Sequence, residues 1–233
     1  MCPYFLLRIS LKNFFSHRMN TASSFSDLGL SSHIVEAVKN KGFEKPTPIQ
    51  AQVIPLLLTG KKDIIGQAQT GTGKTASFAL PILETIDVSS PKTQAIILAP
   101  TRELAMQVAK EIQSFESVSQ PRVALLYGGN PIPGELRDLK KKPHIVVGTP
   151  GRVQHHLRKG SLDISSITYF ILDEADEMLN FGFREDIENI LQETPENRRV
   201  LLFSATLPKS ILDIVHTYMK DYDMVRVKSS SLT

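Results

Sequence analysis

The sequence has almost none of the residues that form disulfides, and it has no apolar run of membrane length. Among 233 residues there is one cysteine, Cys2, and no tryptophan. A single cysteine forms neither an internal disulfide nor a cysteine cage for zinc, so we expect a reducing compartment, the cytoplasm. No stretch approaches the roughly 18 uninterrupted apolar residues of a membrane span. With 41% hydrophobic and 22% charged residues, the composition excludes a disordered chain, a collagen fibre and a coiled coil.

An excess of one charge sign is also missing from most of the chain. The first 26 residues hold three of the 27 basic side chains and none of the 24 acidic ones, so residues 27–233 carry 24 of each. A protein that holds nucleic acid by bulk charge shows a strong basic excess. We therefore expect any bound polyanion to be held locally, by a few placed groups.

Residues 1–24 differ from the rest because they are basic, rich in Ser and Phe, and free of acidic residues. We expect a disordered extension here. Three origins stay open: an upstream start codon with Met19 as the true first residue, an organelle-targeting peptide, and a small amphipathic contact element.

Short apolar runs rich in branched residues recur from residue 60 onward, which predicts strands that are buried on both faces. Helical patterns separate them: one stripe runs from Leu104 to Ile112 behind Thr101 as N-cap, and another ends at Gly42. This alternation predicts an α/β fold with a parallel sheet and helices on both of its faces. The predicted strands are Asp63–Ile65, Ala95–Leu98, Val123–Leu126, Ile145–Val147, Phe170–Leu172 and Val200–Phe203.

Polar motifs follow five of these strands at the point where each strand ends. The carboxyl ends of parallel strands meet at one edge of a sheet, where ligands bind. We therefore predict a single site built from all five motifs. They are Ala68–Thr75, Pro100–Glu103, Gly148–Arg152, Asp173–Asp176 and Ser204–Thr206.

The first of these motifs is close to the phosphate-binding loop pattern and departs from it by Ala68 in place of the first glycine. Glycines let main-chain N–H groups curl around phosphate oxygens, and the helix that follows adds the partial positive charge of its N-terminus. Lys74 is expected to reach the β- and γ-phosphates, and the Thr75 hydroxyl to ligate Mg²⁺. We therefore predict that a nucleoside triphosphate is bound by Ala68, Gln69, Thr70, Gly71, Thr72, Gly73, Lys74 and Thr75.

A P-loop ATPase also needs an acidic residue near Mg²⁺ at the end of a neighbouring apolar strand. Asp173 meets that requirement as a second metal ligand, and Glu174 comes next, where a carboxylate can orient or deprotonate an attacking water. Alone, an Asp-Glu pair is equally well explained by a solvated turn with helix-capping acids. Beside Lys74 and Thr75, the pair predicts phosphoryl transfer to water, with Lys74, Asp173 and Glu174 as the catalytic residues.

Together these motifs resemble the DEAD-box family of ATP-dependent RNA helicases over residues 25 to about 227, and Ala68 is the family's usual residue at its position. The resemblance implies a P-loop RecA-like domain over residues 25–228, with ATP and Mg²⁺ as cofactors and RNA as partner. The motifs that carry it are Phe25, Gly42-Phe43, Pro46–Gln50, Ala68–Thr75, Pro100–Ala105, Gly128-Gly129, Thr149–Arg152, Asp173–Asp176 and Ser204–Thr206.

The segment around Gln50 resembles the family's adenine-reading motif. An amide donates and accepts one hydrogen bond each, which matches N6 and N7 of adenine, while Phe43 would stack on the ring. Core packing is the alternative for Phe43 taken alone. The nucleotide-binding residues that the resemblance adds are Phe25, Phe43, Lys45, Thr47 and Gln50.

Other motifs match those with which the family binds the RNA backbone, where glycine turns and helix N-termini expose N–H groups and arginine adds charge-assisted bonds. A surface salt bridge is the alternative for Arg152 taken alone. Ser204 and Thr206 resemble the family's coupling motif, which implies that they form hydrogen bonds to the acidic motif near Asp176 and relay nucleotide state. The residues implied in RNA binding are Pro100, Thr101, Arg102, Gly128, Gly129, Thr149, Pro150, Gly151 and Arg152.

Family members have a second RecA-like domain that supplies arginine fingers in a His-Arg-x-Gly-Arg-x-x-Arg-type motif. The sequence holds no such motif, and residues 229–233 resemble the start of an interdomain linker. We therefore expect a monomeric N-terminal half that binds nucleotide but hydrolyses ATP and unwinds RNA poorly.

Two other classes of protein stay open: a P-loop kinase, and a binding module that uses the nucleotide fold without helicase activity. The kinase would leave Gln50 and Thr149–Arg152 unexplained. A binding module would not need the complete catalytic set of Lys74, Thr75, Asp173 and Glu174, which argues against it. His155 and His156 are adjacent, so they point to different sides of a helix, and we do not expect them to bind a metal.

Overall fold

The computed structural model describes residues 24–115 and 120–227. Its centre is a sheet of seven strands in which every pairing is parallel, in the order β3-β4-β2-β5-β6-β1-β7. The strands are β1 (Asp63–Gln67), β2 (Ala95–Leu98), β3 (Val123–Leu126), β4 (Ile145–Gly148), β5 (Tyr169–Leu172), β6 (Arg199–Ser204) and β7 (Tyr222–Arg226).

Helices cover the sheet on both sides. A 3₁₀ helix at Phe25–Leu28 precedes them, and Thr101 caps α4 by accepting the N–H of Leu104 at 3.2 Å, as predicted. The helices are α1 (Ser32–Asn40), α2 (Pro48–Thr59), α3 (Lys74–Thr85), α4 (Arg102–Ser114), α5 (Ile132–Lys140), α6 (Pro150–Arg158), α7 (Ala175–Asn180), α8 (Arg184–Gln192) and α9 (Lys209–Tyr218).

Two hydrophobic clusters form the core, one on each face of the sheet. Alternate residues of a strand point to opposite faces, so Ala95 and Ile97 join the cluster under α1–α4, while Ile96 and Leu98 join the cluster under α5–α9. Both faces are therefore buried, which explains the continuous apolar runs. The predicted fold class, a P-loop α/β domain with helices on both faces, is confirmed.

The strand β7 was not predicted. Of the strands in the described ranges it pairs with β1 alone, at the edge of the sheet, and within it only Val225 is buried. An edge strand of this kind carries charged residues such as Asp223 and lacks the apolar run of a central strand.

The six predicted strands are present, and the five motifs lie at their carboxyl ends. Of the predicted extension at residues 1–24, only Ser24 belongs to the described residues, and the predicted linker at 229–233 lies outside them. Within the described ranges, no helix has both the length and the apolar character that a membrane span requires.

Candidate functional site

The phosphate-binding loop connects β1 to α3, and α3 begins at Lys74. Gly71 and Gly73 have φ of +80° and +88°, a left-handed conformation that favours glycine. A Cβ on Gly73 would lie 2.4 Å from Nε2 of Gln50, so contact as well as conformation requires glycine there. The loop thus keeps main-chain N–H groups accessible at the start of a helix, the arrangement that suits phosphate oxygens.

Two opposite charges lie buried where this loop meets the end of β5. Lys74 is 5% exposed and Asp173 7%, and among the described residues neither Nζ of Lys74 nor Oδ1 of Asp173 has a hydrogen-bond partner. Burial raises the pKa of Asp173 to about 6; the charge of Lys74 lowers it in part, and that of Glu174 adds to the rise. A buried cation and a buried carboxylate that each keep one atom without a hydrogen bond fit the terminal phosphates and a divalent cation, respectively.

Glu174 faces the phosphate loop from the start of α7. Its Oε1 accepts a hydrogen bond from the Thr70 hydroxyl at 2.9 Å and lies 3.5 Å from Nζ of Lys74. The residue has a left-handed φ of +55°, which is costly for a side chain with a Cβ. The turn at the end of β5 therefore aims this carboxylate at the place where a bound phosphate would lie.

Magnesium needs few protein ligands, because it keeps several waters and takes oxygens from the substrate phosphates. Asp173 and Thr75 both line the cleft, and they fit such a site. Within residues 24–115 and 120–227, no group of three or more His, Cys, Asp or Glu residues is arranged to hold a metal.

Gln50 connects α2 to the phosphate loop. Its Oε1 accepts the main-chain N–H of Thr47 at 2.9 Å, and its Nε2 donates to the carbonyl of Gly73 at 3.2 Å. The side chain is 2% exposed. Sequence reasoning predicted an adenine contact for Gln50, and in the structure its amide also binds Gly73 of the phosphate loop. Lys45, another predicted nucleotide-binding residue, is exposed.

The aromatic residues of this segment form a stack at the rim of the cleft. Phe43 is partly buried and lines the cleft, and Phe25 packs behind it, 3% exposed, with ring centroids 6.5 Å apart and planes at 22°. Phe115 packs edge-on against Phe43 at 6.2 Å. Of these three rings, the structure leaves Phe43 open to a ligand.

Sequence reasoning missed the wall of the cleft that α4 provides. The cleft has a volume of about 200 Å³, and Gln107 and Glu111 lie on its α4 side. Glu111 pairs with Lys41 at 2.7 Å, and Nζ of Lys41 lies 4.2 Å from the centroid of the Phe115 ring. In the sequence, the only sign of this wall was the helical spacing of Gln107 and Glu111 beside the apolar stripe of α4.

The predicted coupling residues are in direct contact. The Thr206 hydroxyl and main-chain N–H both donate to Oδ2 of Asp176, and Asp176 N–H donates to the Ser204 hydroxyl at 3.3 Å. Burial acts to raise the pKa of Asp176, but hydrogen bonds from Thr206 and Ser204 outweigh it and hold the pKa below its ordinary value. The ends of β5 and β6 are thereby linked.

The predicted RNA-binding residues lie along the same edge of the sheet, on its β2-β4-β3 side. Gly128 and Gly129 are exposed in a turn after β3, with φ of +88° at Gly129. Thr149 is the N-cap residue of α6, followed by Pro150 and Gly151. At the start of α4, Pro100 is buried, Thr101 caps the helix and Arg102 lies over the Tyr127 ring at 5.1 Å.

Arg152 does not project freely from α6. Its Nε lies 2.9 Å from Oε2 of Glu135, whose side chain is fully buried, and its Nη2 donates to the Asn130 carbonyl. His156 contacts the same Oε2 at 2.8 Å, while His155 is partly exposed on another side of the helix. The salt bridge of Arg152 is therefore an internal one, and sequence reasoning missed Glu135.

Sequence comparisons identify the relatives of this chain. The model of the DEAD/DEAH box helicase family matches residues 47–214. The chain is 51% identical to the ATP-dependent RNA helicase CshA of Limosilactobacillus reuteri over 209 residues, 90% of this chain and 42% of the relative. It is 50% identical to a probable ATP-dependent RNA helicase of Methanocaldococcus jannaschii over 205 residues, 88% of this chain and 55% of the relative.

Solved structures show the same fold. A DEAD box protein from the hyperthermophile Methanococcus jannaschii matches with a TM-score of 0.86 at 50% identity, over 88% of this chain and 56% of that one. A hypothetical ATP-dependent RNA helicase from Sulfolobus tokodaii matches with a TM-score of 0.78 at 37% identity, over 85% and 57%. The chain spans about half the length of the curated relatives it matches. Since the family match takes in well over half of this chain, the protein belongs to the DEAD/DEAH box helicase family.

Proposed function

We propose that this chain is the ATP-binding half of an RNA-stimulated ATPase that couples nucleotide turnover to RNA binding and local duplex unwinding. The observation that carries the proposal is the buried pair of Lys74 and Asp173, whose Nζ and Oδ1 have no hydrogen-bond partner in the part of the chain that the structure describes. Two buried charged atoms without a hydrogen bond are costly, unless a ligand of complementary charge completes them.

The residues of the cleft have distinct roles in this proposal. Lys74 and the N–H groups of the loop bind the terminal phosphates, while Phe43 and Gln50 bind the adenine. Mg²⁺, held by Thr75 and Asp173, neutralises phosphate charge when it is bound. Glu174 accepts a proton from the attacking water, and its contacts with Thr70 and Lys74 hold its carboxylate beside the phosphates.

RNA is bound on the other side of the same edge, at the turn of Gly128 and Gly129 and at the N-termini of α4 and α6. Main-chain donors and a few cations read the backbone without regard to base identity, which suits the balanced charge of residues 27–233. The hydrogen bonds from Thr206 to Asp176 couple the nucleotide site to the end of β6.

We infer that the second half of the catalytic site lies in a domain beyond these 233 residues. Loss of an arginine finger costs about 10³ to 10⁵ in turnover in phosphoryl-transfer enzymes. The chain alone therefore binds ATP and Mg²⁺ as a cytoplasmic monomer, holds RNA weakly, and neither hydrolyses ATP well nor unwinds a duplex.

Steady-state phosphate release by the 233-residue chain, with and without single-stranded RNA, tests this. Nucleotide binding is measured in the same samples, with Lys74→Ala as a control for the site. We expect binding that depends on Lys74, little turnover and no stimulation by RNA. Absence of nucleotide binding would overturn the ATPase assignment. Strong RNA-stimulated turnover would show that the chain completes its own active site.

A further inference from the structure

Three hydrogen-bonding groups and the Arg152 cation converge on one buried carboxylate, that of Glu135 in α5. Oε1 accepts from the Tyr127 main-chain N–H and from Nδ2 of Asn130, both at 3.2 Å. Oε2 lies 2.9 Å from Nε of Arg152 and 2.8 Å from Nε2 of His156. A carboxylate in an ion pair is an acceptor only, so Nε2 of His156 carries the hydrogen of this bond.

These four groups come from two of the segments to which RNA binding is assigned. Tyr127 and Asn130 flank the glycines of the turn after β3, and the turn is closed by the N–H of Asn130 on the carbonyl of Tyr127 at 3.3 Å. Arg152 and His156 lie on α6, whose N-terminus is Thr149-Pro150-Gly151. Arg152 also donates to the carbonyl of Asn130, which joins the two segments a second time.

A third segment is attached to the same network. The Arg102 guanidinium at the start of α4 lies 5.1 Å from the centre of the Tyr127 ring, within the range of a cation–π contact. Glu135 is thus the common acceptor at the junction of the turn and α6, and α4 joins it through Tyr127.

We propose that Glu135 is a positioning residue for RNA binding, which holds the Gly128-Gly129 turn and the N-terminus of α6 at a fixed spacing so that both present their N–H groups to one RNA strand. Arg152 acts inside this network through Glu135 and is not a free cation for phosphate. The inference rests on the proposed RNA-binding function and deepens it.

The chemistry of the acceptor makes Glu135→Gln a sharp test. Glutamine has nearly the same shape, but only one end of its amide accepts hydrogen bonds. Its NH₂ end would face two donors, either those of the turn or those of α6, and the charge that compensates Arg152 would be gone. Asp138→Asn is the matched control, because Asp138 lies on the same helix, is exposed, and pairs with Lys141 at 2.7 Å.

Hydrogen exchange of the 233-residue chain, followed by mass spectrometry, tests without RNA whether Glu135 holds the turn and α6 in place. We expect Glu135→Gln to speed exchange about tenfold, a size typical of coupled networks, in peptides from the turn and the first two turns of α6. In the Glu135→Gln variant, exchange in α3 should match that of the wild type. In the Asp138→Asn variant, exchange in the turn and α6 should also match that of the wild type. Equal exchange of the turn and α6 in the Glu135→Gln variant and the wild type overturns the inference.

RNA affinity tests the consequence, with a fluorescein-labelled ten-nucleotide oligouridylate and, as reference, N-methylanthraniloyl-ADP for the nucleotide site. We expect Glu135→Gln to weaken RNA binding about tenfold and to change nucleotide affinity less than about twofold, with Asp138→Asn normal in both. If the wild type binds RNA and the Glu135→Gln variant binds it equally well, the role of Glu135 is overturned and the proposed RNA function stands. A wild-type chain that binds nucleotide but no RNA overturns the RNA function and this role of Glu135 together.

Salt dependence separates the two possible roles of Arg152. Each phosphate contact to a single strand contributes about 0.7 to the slope of log affinity against log salt concentration. We expect Arg152→Gln to weaken RNA binding with an unchanged slope, and the double variant with Glu135→Gln to be no weaker than either single one. A slope reduced by about 0.7 would show a direct contact of Arg152 with phosphate and would overturn its assignment to the network.

Discussion

Thr206 donates two hydrogen bonds to a single oxygen of Asp176, from its hydroxyl at 2.7 Å and from its main-chain N–H at 2.9 Å. Ser204 at the end of β6 completes the link, since its hydroxyl donates to the Thr206 carbonyl at 2.6 Å. Asp176 lies three residues after Asp173, so both bonds attach the acidic segment after β5 to the end of β6.

Asp176→Asn should lower the free energy of unfolding by about 1.5–3 kcal/mol, the range for hydrogen bonds to a charged group. The pKa of Asp176 is held below its ordinary value, so its stabilisation is complete above about pH 5 and is lost as the pH falls through the folded-state pKa. Urea unfolding at pH 7.5 and pH 3 measures both effects. Glu177→Gln, an exposed neighbour on α7, is the control. Equal stability of Asp176→Asn and wild type at pH 7.5 would contradict the prediction.

Asp173→Asn should stabilise the free protein at neutral pH. Burial raises the pKa of Asp173 to about 6, so the folded state resists ionisation, and stability falls as the pH rises from about 4 to 6. Two pKa units correspond to about 3 kcal/mol, which the variant should regain at pH 8 and only partly at pH 5. Thermal unfolding without nucleotide measures this, and Asp138→Asn is the surface control.

The same substitution should weaken nucleotide binding in Mg²⁺ much more than in EDTA, because Asp173 is a proposed ligand of the metal. Titration with a fluorescent ADP analogue under both conditions measures the difference. A variant that is less stable than the wild type at pH 8, or that loses affinity equally in EDTA, is the contrary result.

Gly73→Ala should abolish nucleotide binding and destabilise the fold. An alanine there would adopt φ of +88° and place its Cβ 2.4 Å from Nε2 of Gln50. Gly160→Ala is the matched control, because Gly160 also has a positive φ, +63°, but nothing lies within 4 Å of its Cβ. The conformational cost of about 1–2 kcal/mol is common to both, so the difference in thermal stability isolates the contact with Gln50. Equal stability of the two variants would refute that contact.

Lys41→Met should weaken adenine-nucleotide binding about three- to fivefold, since Lys41 pairs with Glu111 at the rim and lies 5.4 Å from the centroid of the Phe43 ring. Methionine keeps the length of the side chain and removes its charge. Isothermal titration with ADP measures the affinity, and Lys39→Met on the exposed face of α1 is the control. Equal loss of ADP affinity in both variants would attribute the effect to net charge and not to the contacts of Lys41 with Glu111 and Phe43.

Local pattern and motif order made six strands predictable, and more than half of the predicted nucleotide-binding residues line one cleft. Strands buried on both faces leave continuous apolar runs, and glycine, lysine and acidic residues directly after them mark the ligand edge. The contact of Thr206 with Asp176 was predicted from motif resemblance. The edge strand β7 could not be found in this way, because it has one exposed side and no apolar run.

What the sequence by itself determined, then, is the α/β class, the sheet edge where the polar motifs meet and the residue types there that suit phosphate and a divalent cation, because these depend on local spacing. Only the tertiary structure decided which distant groups meet. Lys41 pairs with Glu111 across 70 positions, and Glu135 receives Arg152 and His156 from another helix. In sequence, Glu135 is an ordinary polar residue of a short helix. Its role depends on burial, because a carboxylate removed from water needs donors, and the packing of α5 against the turn and α6 supplies them.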